Sequence, residues 1–466
     1  MNFSVGVILT LVLYVIFFVF QVLYTLVPLF SVKGKRGIRK DELQDGISIL
    51  IPAFNEAAII KNCILAILNV EYKNYEAIII NDGSTDHTME LLTSILDLKM
   101  INRKKANLLP HRPIRGIYQS EKYPTIFIID KENGGKADAL NTGVEFSQHD
   151  TIITLDADSE LDVMSLKYIN SAFKDQAVIA AGGMVHIGQA FYGEHANPQP
   201  HFKMSNLLCY QCMQYLENFY LYKITQAKFK SLAIISGAFG VFRKEVLFKV
   251  GGYRITVGED MDITMRVQRL IKTTYTDKKV LFIPEAVCFT EAPETLRDLF
   301  NQRIRWEKAF IDCIITYRSS LLTKFGRGIP LFLLVDGLML GTLTAFPTII
   351  LPFIILITQE GTVLALMLFV FSFSLAIYQS MISLIIAYRF GYRFSTIKDK
   401  LHIALFIPFE IVTYRLLGVL FNTFGTISYF INKDSWNRVS RIGTLRHTYV
   451  EDLQNDRKDV HKRNIS

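Results

Sequence analysis

Asp156 and Asp158 stand two residues apart at the end of an apolar run, Thr151 to Leu155. On an extended chain that spacing turns both carboxylates to one side. Such a pair can hold a hard divalent cation that also meets phosphate oxygens; a helix N-cap followed by a solvated turn is the plainer account. Asp82 closes a second apolar run inside Asn81-Asp82-Gly83-Ser84. It either accepts hydrogen bonds from a base or ribose, or forms a simple Asx-turn. Lys136 follows Gly134 and Gly135, and glycines let a backbone come close to a diphosphate that the ammonium would neutralise. Gly258-Glu259-Asp260 opens a helical pattern, where acids are ordinary partners of the helix dipole. One of the two acids could instead be a general base that removes a hydroxyl proton; Asp262 reads as structural. Gln302-Arg303-Ile304-Arg305-Trp306 lies just ahead of an apolar region. Arg and Gln suit phosphate and Trp suits the face of a sugar ring, unless the string is an interfacial Trp with snorkelling arginines.

The elements that must position these groups follow from pattern. Short apolar runs at Gly46–Pro52, Glu76–Ile80, Thr125–Ile129 and Thr151–Leu155 read as buried strands. Helical patterns run from Asn55 to Leu68, after Lys136, and from Met261 to Leu270. Strands alternating with helices imply an α/β, doubly wound parallel sheet. In such sheets ligands bind at the carboxyl ends of the strands, and the three polar clusters all fall there. The basic, proline-containing segment from Leu96 to Tyr123 is longer than an ordinary connection. It reads as a surface insertion without assigned chemistry.

Composition places this domain beside a membrane. Of 466 residues, 50% are hydrophobic and only 20% charged, and mean hydropathy is +0.26. A disordered chain is excluded, and length alone suggests about three domains of ~150 residues. Phe3 to Phe30 is uncharged and long enough to span a bilayer. It lacks the basic start and cleavage site of a signal peptide. Lys33, Lys35, Arg36, Arg39 and Lys40 follow it, so residues 33–306 are expected in the cytoplasm after a transmembrane helix at 1–32. Residues 307–328 are expected as an interfacial helix, and 329–388 as a transmembrane hairpin of Ile329–Thr358 and Thr362–Tyr388. Asp336, in its first arm, could line a sugar path or simply hydrogen-bond near the interface. The region 389–431 carries Glu410 and Arg415 mid-way and Pro408 nearby. Charges at bilayer depth are costly, so it is expected to be interfacial or re-entrant, leaving 432–466 as a basic cytoplasmic tail. Net charge is +8, from 51 basic and 43 acidic residues. The basic excess sits beside the apolar regions, which favours a lipid bilayer over nucleic acid as partner. Cys209 and Cys212 lack a second metal-ligand pair and read as packing, as do His186 and His201.

Taken in order, the strings Ile-Pro-Ala-Phe-Asn-Glu (51–56), Asn-Asp-Gly-Ser-Thr-Asp (81–86), Asn-Gly-Gly-Lys-Ala-Asp-Ala-Leu-Asn (133–141), Asp-Ala-Asp (156–158), Ser-Gly-Ala-Phe (236–239), Gly-Glu-Asp (258–260) and Gln-Arg-Ile-Arg-Trp (302–306) resemble the processive, membrane-embedded members of glycosyltransferase family 2. The likeness covers roughly residues 46–440. The bacterial poly-β-1,6-N-acetylglucosamine synthases are the nearest members in appearance, hyaluronan and cellulose synthases more distant ones. The resemblance implies a nucleotide-diphospho-sugar transferase (GT-A-like) domain inserted between transmembrane helices. It implies an inverting enzyme that takes a nucleotide-sugar donor, UDP-N-acetylglucosamine by preference. Its product would be a β-linked polysaccharide at the plasma membrane, with export as a further expectation. Transfer of one sugar to a membrane lipid is the alternative. Pro52, Asn55, Glu56, Asp82, Lys136 and Asp156 would contact the donor, and Asp158 would hold Mg2+ or Mn2+. Asp260 would be the base, with Glu259 beside it. Gly237, Gln302, Arg303, Arg305 and Trp306 would meet the acceptor or the diphosphate, with Trp436 and Arg441 approaching from the tail. A growing polysaccharide or glycolipid is the implied acceptor, and an accessory membrane subunit a candidate partner. One departure is visible: the family's usual Thr-Glu-Asp reads Gly258-Glu259-Asp260 here.

Overall fold

The computed structural model describes residues 5–32, 34–35, 37–38, 42–193, 195, 197–344, 362–394 and 396–433. Twelve strands run β1 (Ile47–Ala53), β2 (Tyr75–Asp82), β3 (Leu98–Met100), β4 (Ile114–Ser120), β5 (Ile126–Lys131), β6 (Thr151–Leu155), β7 (Ser159–Leu161), β8 (Val178–Ile187), β9 (Phe191–Tyr192), β10 (Gln199–Pro200), β11 (Phe239–Arg243) and β12 (Lys279–Thr290). The short strands β9 and β10 pair with each other. The other ten make one sheet in the order β3-β4-β5-β2-β1-β6-β11-β8-β12-β7.

The parallel expectation holds at the centre, where β5, β2, β1 and β6 run the same way. The sheet as a whole is mixed. β11 lies antiparallel between β6 and β8, and β7 is antiparallel to β12. The Leu96–Tyr123 insertion supplies β3 and β4, antiparallel at the other edge. The central strands are buried along nearly their whole length because layers cover both faces, which is why they read as continuous apolar runs rather than alternations. Fully burying each such Ile or Leu contributes about 1.5–3 kcal/mol.

The helices are α1 (Val5–Ser31), α2 (Ile60–Leu68), α3 (Thr88–Leu96), α4 (Lys136–Phe146), α5 (Ser165–Phe173), α6 (Asn206–Glu217), α7 (Ile224–Lys228), α8 (Lys244–Lys249), α9 (Glu259–Thr273) and α10 (Leu296–Tyr317). A π-helical segment, Asn218–Lys223, joins α6 to α7. Helix α2 starts later than the sequence pattern suggests. Asn55 adopts a left-handed conformation, φ 58°, and Asn tolerates it better than most residues. The helix expected over 307–328 instead begins at Leu296 and ends at Tyr317, so Trp306 lies at its middle.

Two helices among the described residues are long and apolar enough to cross a membrane, over Leu11–Ser31 and Thr362–Arg389. The first arm of the expected hairpin appears as a shorter apolar helix, Gly328–Leu343, and 345–361 lie outside the described residues. Asp336 in that arm accepts a hydrogen bond from Tyr24 of α1. The 389–431 region forms two helices, Ile397–Val412 and Tyr414–Ile431, bent by 41°. The break falls at Thr413, and Pro408 sits inside the first helix. Glu410 and Arg415 flank that bend and form an ion pair at 3.4 Å, with Arg415 also on Glu217 of α6 at 2.6 Å. Glu217 further accepts from Ser380, so these charges meet one another rather than lipid.

Candidate active site

The carboxyl ends of β2, β5 and β6 converge on the amino end of α4. Asp82 is 2% exposed. Its Oδ1 accepts from Lys131 Nζ at 2.6 Å and from Gly134 N at 3.0 Å, and its Oδ2 from Gly135 N at 2.7 Å. Asn133 Nδ2 donates to the Asp82 carbonyl. The carboxylate thus shapes the 133–136 loop. Lys131 is fully buried and also pairs with Asp138 in the first turn of α4 at 2.6 Å. Sequence reasoning passed over Lys131; its signal was a lysine closing a strand whose first four residues are apolar. Gly135 has φ +85°, a conformation that side chains resist, and this lets the loop turn directly into α4. Further along that helix, Asn141 bonds both backbone groups of Tyr253, which ties α4 to the segment leading to α9.

Lys136 heads α4. Its Nζ lies 2.6 Å from Asp156 Oδ1 and 3.2 Å from Glu259 Oε1. Burial works against its charge, yet Asp156, Glu259 and Asp260 hold its pKa well above the ordinary lysine value. Asp156 and Asp158 do not lie on an extended chain. Ser159 N donates to the Asp156 carbonyl, closing a turn between β6 and β7, so the argument from alternating side chains does not apply. β7 then pairs with β12 at the edge of the sheet. Asp156 faces Lys136, while Asp158 is buried, with Ser159 and Thr290 hydroxyls at 3.2 and 3.4 Å.

Asp260 stands at the start of α9. Its Oδ2 accepts from Gly237 N at 3.1 Å and its Oδ1 from Met261 N at 2.8 Å. A small cleft is lined by Lys136, Ser236, Gly237, Glu259 and Asp260 together with apolar neighbours. Asp262 carries out the structural role expected of it. It bonds Arg254, Arg266 and Tyr317, and although burial opposes its charge these partners lower its pKa. Helix α10 packs directly behind Gly258.

Asn55 stitches its own loop to the 81–86 loop: its Oδ1 accepts from Thr85 N at 2.7 Å and its backbone N donates to Ser84 Oγ. Glu56 N donates to Thr88, and Pro52 is half-buried. These residues build the rim and are joined to the 133–136 loop through Asp82. In α10 the Arg303 guanidinium lies 4.2 Å over the Trp306 ring. Its Nε and Nη2, with Gln302 Oε1, are buried without partners among the described residues. Arg305 and Trp306 are half-buried. Trp436 and Arg441 lie outside the described residues.

Among the described residues no group of three or more His, Cys, Asp or Glu is gathered for a metal. Asp156 and Asp158 both lie in the turn at the carboxyl end of β6, and one or two carboxylates completed by substrate phosphate oxygens are a usual way to hold Mg2+ or Mn2+. Cys209 and Cys212 are buried free thiols, as packing predicts.

The site agrees with what the chain is similar to. The family description "Glycosyl transferase family 2" matches residues 48–251, and "Glycosyl transferase family group 2" matches 151–392, just over half of the chain. Poly-beta-1,6-N-acetyl-D-glucosamine synthases of Staphylococcus aureus are 28% identical over 306 residues, which is 66% of this chain and 63% of theirs. The Staphylococcus epidermidis protein of the same name is 27% identical over 283 residues, 60% of this chain and 58% of its own. The chain thus spans less than two thirds of these curated relatives. A mannosyltransferase from Pyrobaculum calidifontis, solved with GDP-Man and Mn2+, superposes with a TM-score of 0.52 at 14% identity. The match covers 91% of this chain and 100% of that one, a likeness of fold. With the carboxylates and the glycine-lysine loop gathered at one end of such a sheet, the chain belongs to glycosyl transferase family group 2.

Proposed function

We propose that the chain transfers N-acetylglucosamine from UDP-N-acetylglucosamine, with inversion, to extend a β-linked polysaccharide at the membrane. The carrying observation is the placement of Asp260. One of its oxygens is held by the Gly237 amide at 3.1 Å, and it shares a cleft with Lys136 and Glu259. A carboxylate so fixed has a defined direction in which to take a proton. The acceptor hydroxyl oxygen attacks the anomeric carbon, its proton passes to Asp260, and the bond from that carbon to the diphosphate oxygen breaks to release UDP. Asp156 and Asp158 are the residues that would hold Mg2+ or Mn2+, whose chemistry is to withdraw charge from the leaving diphosphate. Lys136 is placed to exchange its bond to Asp156 for one to that diphosphate. Glu259 keeps the ammonium beside the base. Trp306, with Arg303 stacked on it, offers a flat face for the acceptor sugar. The identity to poly-β-1,6-N-acetylglucosamine synthases supports the choice of sugar and a polymeric product.

The test is a donor screen on the purified chain in nanodiscs with Mg2+ or Mn2+, sizing the product from each labelled UDP-sugar. A long polymer from UDP-N-acetylglucosamine is expected. Asp260→Asn is expected to remove at least about a hundredfold of the rate, as loss of a general base does, while leaving donor binding intact. A product of one sugar on lipid would replace polymer synthesis by single transfer. Full activity in Asp260→Asn would overturn the assignment of the base.

A further inference from the structure

The Leu232–Gly237 stretch precedes β11 and carries Ser236 and Gly237 into the cleft. It has no strand partner, so side chains must hold it. Three of them lie along one face of α9, at four-residue spacing. Gln268 Nε2 donates to the Leu232 carbonyl at 2.8 Å, Thr264 Oγ1 accepts from Ile235 N at 2.9 Å, and Asp260 accepts from Gly237 N. Thr264 also donates to the Asp260 carbonyl at 2.7 Å. The fourth comes from another element: Lys223 Nζ donates to the Ile234 carbonyl.

Lys223 ends the π-helical segment between α6 and α7. Wide turns of this kind are frequent at functional sites. The residue is 8% exposed, and Asp260 is the charged group whose field acts on it. Burying an ammonium costs several kcal/mol unless it is well used, so a lysine is an expensive way to bond one carbonyl. The preceding residue, Tyr222, packs against Tyr24 of α1 with ring centroids 4.3 Å apart. A continuous set of contacts therefore leads from the apolar helix α1 to the loop that orients Asp260.

We propose that Lys223 is a positioning residue: it clamps the Ile234 carbonyl from the side opposite α9, and so fixes the Gly237 amide that orients the Asp260 carboxylate. Its link to catalysis rests on the function proposed above, while its hold on the loop does not. Removing the clamp frees Ile235 and Gly237 and lets the Asp260 carboxylate turn; the donor's own contacts with Asp156 and Asp158 are untouched.

The test uses the full chain in nanodiscs, comparing wild type with Lys223→Met and Lys223→Arg by hydrogen exchange and by kinetics. In Lys223→Met the amides of Ile235 and Gly237 are expected to exchange at least about tenfold faster while those of β6 and β8 keep their protection. The kcat is expected to fall about tenfold with the donor KM unchanged, the mark of a group acting only on the chemical step. Lys223→Arg, which keeps a donor of sufficient reach, is expected to restore the protection. Unchanged exchange at 235–237 in Lys223→Met overturns the proposal, as does a loss of protection spread equally over β6 and β8. A parallel rise in donor KM also overturns it. If the wild type turns over no UDP-sugar, the functional reading fails and the exchange comparison alone decides the clamp.

Discussion

At Gly258 a Cβ would stand 2.5 Å from the Cβ of Ala309, closer than two carbons can pack. Helix α10 leans directly on the residue before Glu259 and Asp260, which explains why glycine replaces the threonine of the resembling family. Gly258→Thr is expected to push α10 away, costing about 1–3 kcal/mol as overpacking does and moving the Gln302–Trp306 string relative to the base. Melting temperature and transfer rate should both fall, and adding Ala309→Gly should recover part of each. A Gly258→Thr chain as stable and active as wild type would contradict the close approach. Lys223 carries a second residue-level expectation. Burial pulls its pKa down to about 8 from the ordinary 10.5, with Asp260 opposing. Between those values the folded chain binds fewer protons at Lys223 than the unfolded chain does, so this group's contribution to stability rises with pH across that window. Below about 8 both states are charged and the contribution is flat. The melting temperature of wild type minus that of Lys223→Met should therefore increase from pH 8 toward 10.5. A flat difference would mean that the ammonium titrates normally.

Among the elements, the 133–136 loop depends on β2 and β5 arriving side by side. Asn81 pairs in register with Asp130, and Asp82 with Lys131, so the Asp82 carboxylate, the Lys131 ammonium and the loop amides meet by strand pairing. Asp82→Asn keeps the size but leaves Lys131 with Asp138 as its remaining carboxylate. Breaking one side of a buried pair costs up to about 3–5 kcal/mol, and the surviving partner puts this case at the lower end. Hydrogen exchange at Gly134 and Gly135 should rise, and donor affinity should fall through displacement of Lys136. Unaltered exchange there would show that Asp82 does not organise the loop. The existence of these strands was legible, because their apolar runs are buried on both faces. The role of Asp82 was not, because an acid in a turn and an acid holding a loop share one local sequence.

At the level of the whole molecule, Glu217, Ser380, Glu410 and Arg415 come from three distant stretches of chain. They join α6 of the sheet domain to the Thr362–Arg389 helix and the bent pair. Such a cluster ties the sheet domain to the apolar helices at a fixed orientation. Arg415→Met leaves Glu217 and Glu410 buried without their cation. A loss of about 3–5 kcal/mol is expected, seen as early unfolding in detergent. Replacing all three charges with apolar residues of similar size should recover most of it, since buried ion clusters often exchange for apolar packing at little cost. A single variant as stable as wild type would show that the cluster does not hold the two parts together.

The amino-acid sequence by itself determined the family, the parallel centre of the sheet and the end of it where the polar clusters gather. Each of these follows from local runs and from motif order. It also determined that apolar helices flank the domain, since length and absence of charge are local properties. Only the tertiary structure decided which charged groups are spent on one another. Asp82 is taken by Lys131 and the loop, Lys136 bridges Asp156 to Glu259, and Arg415 meets a glutamate 198 positions away. The reason is that a charge buried on folding must find its partner in space. That partner is set by strand order and helix packing, which bring together residues whose spacing in the chain carries no sign of it.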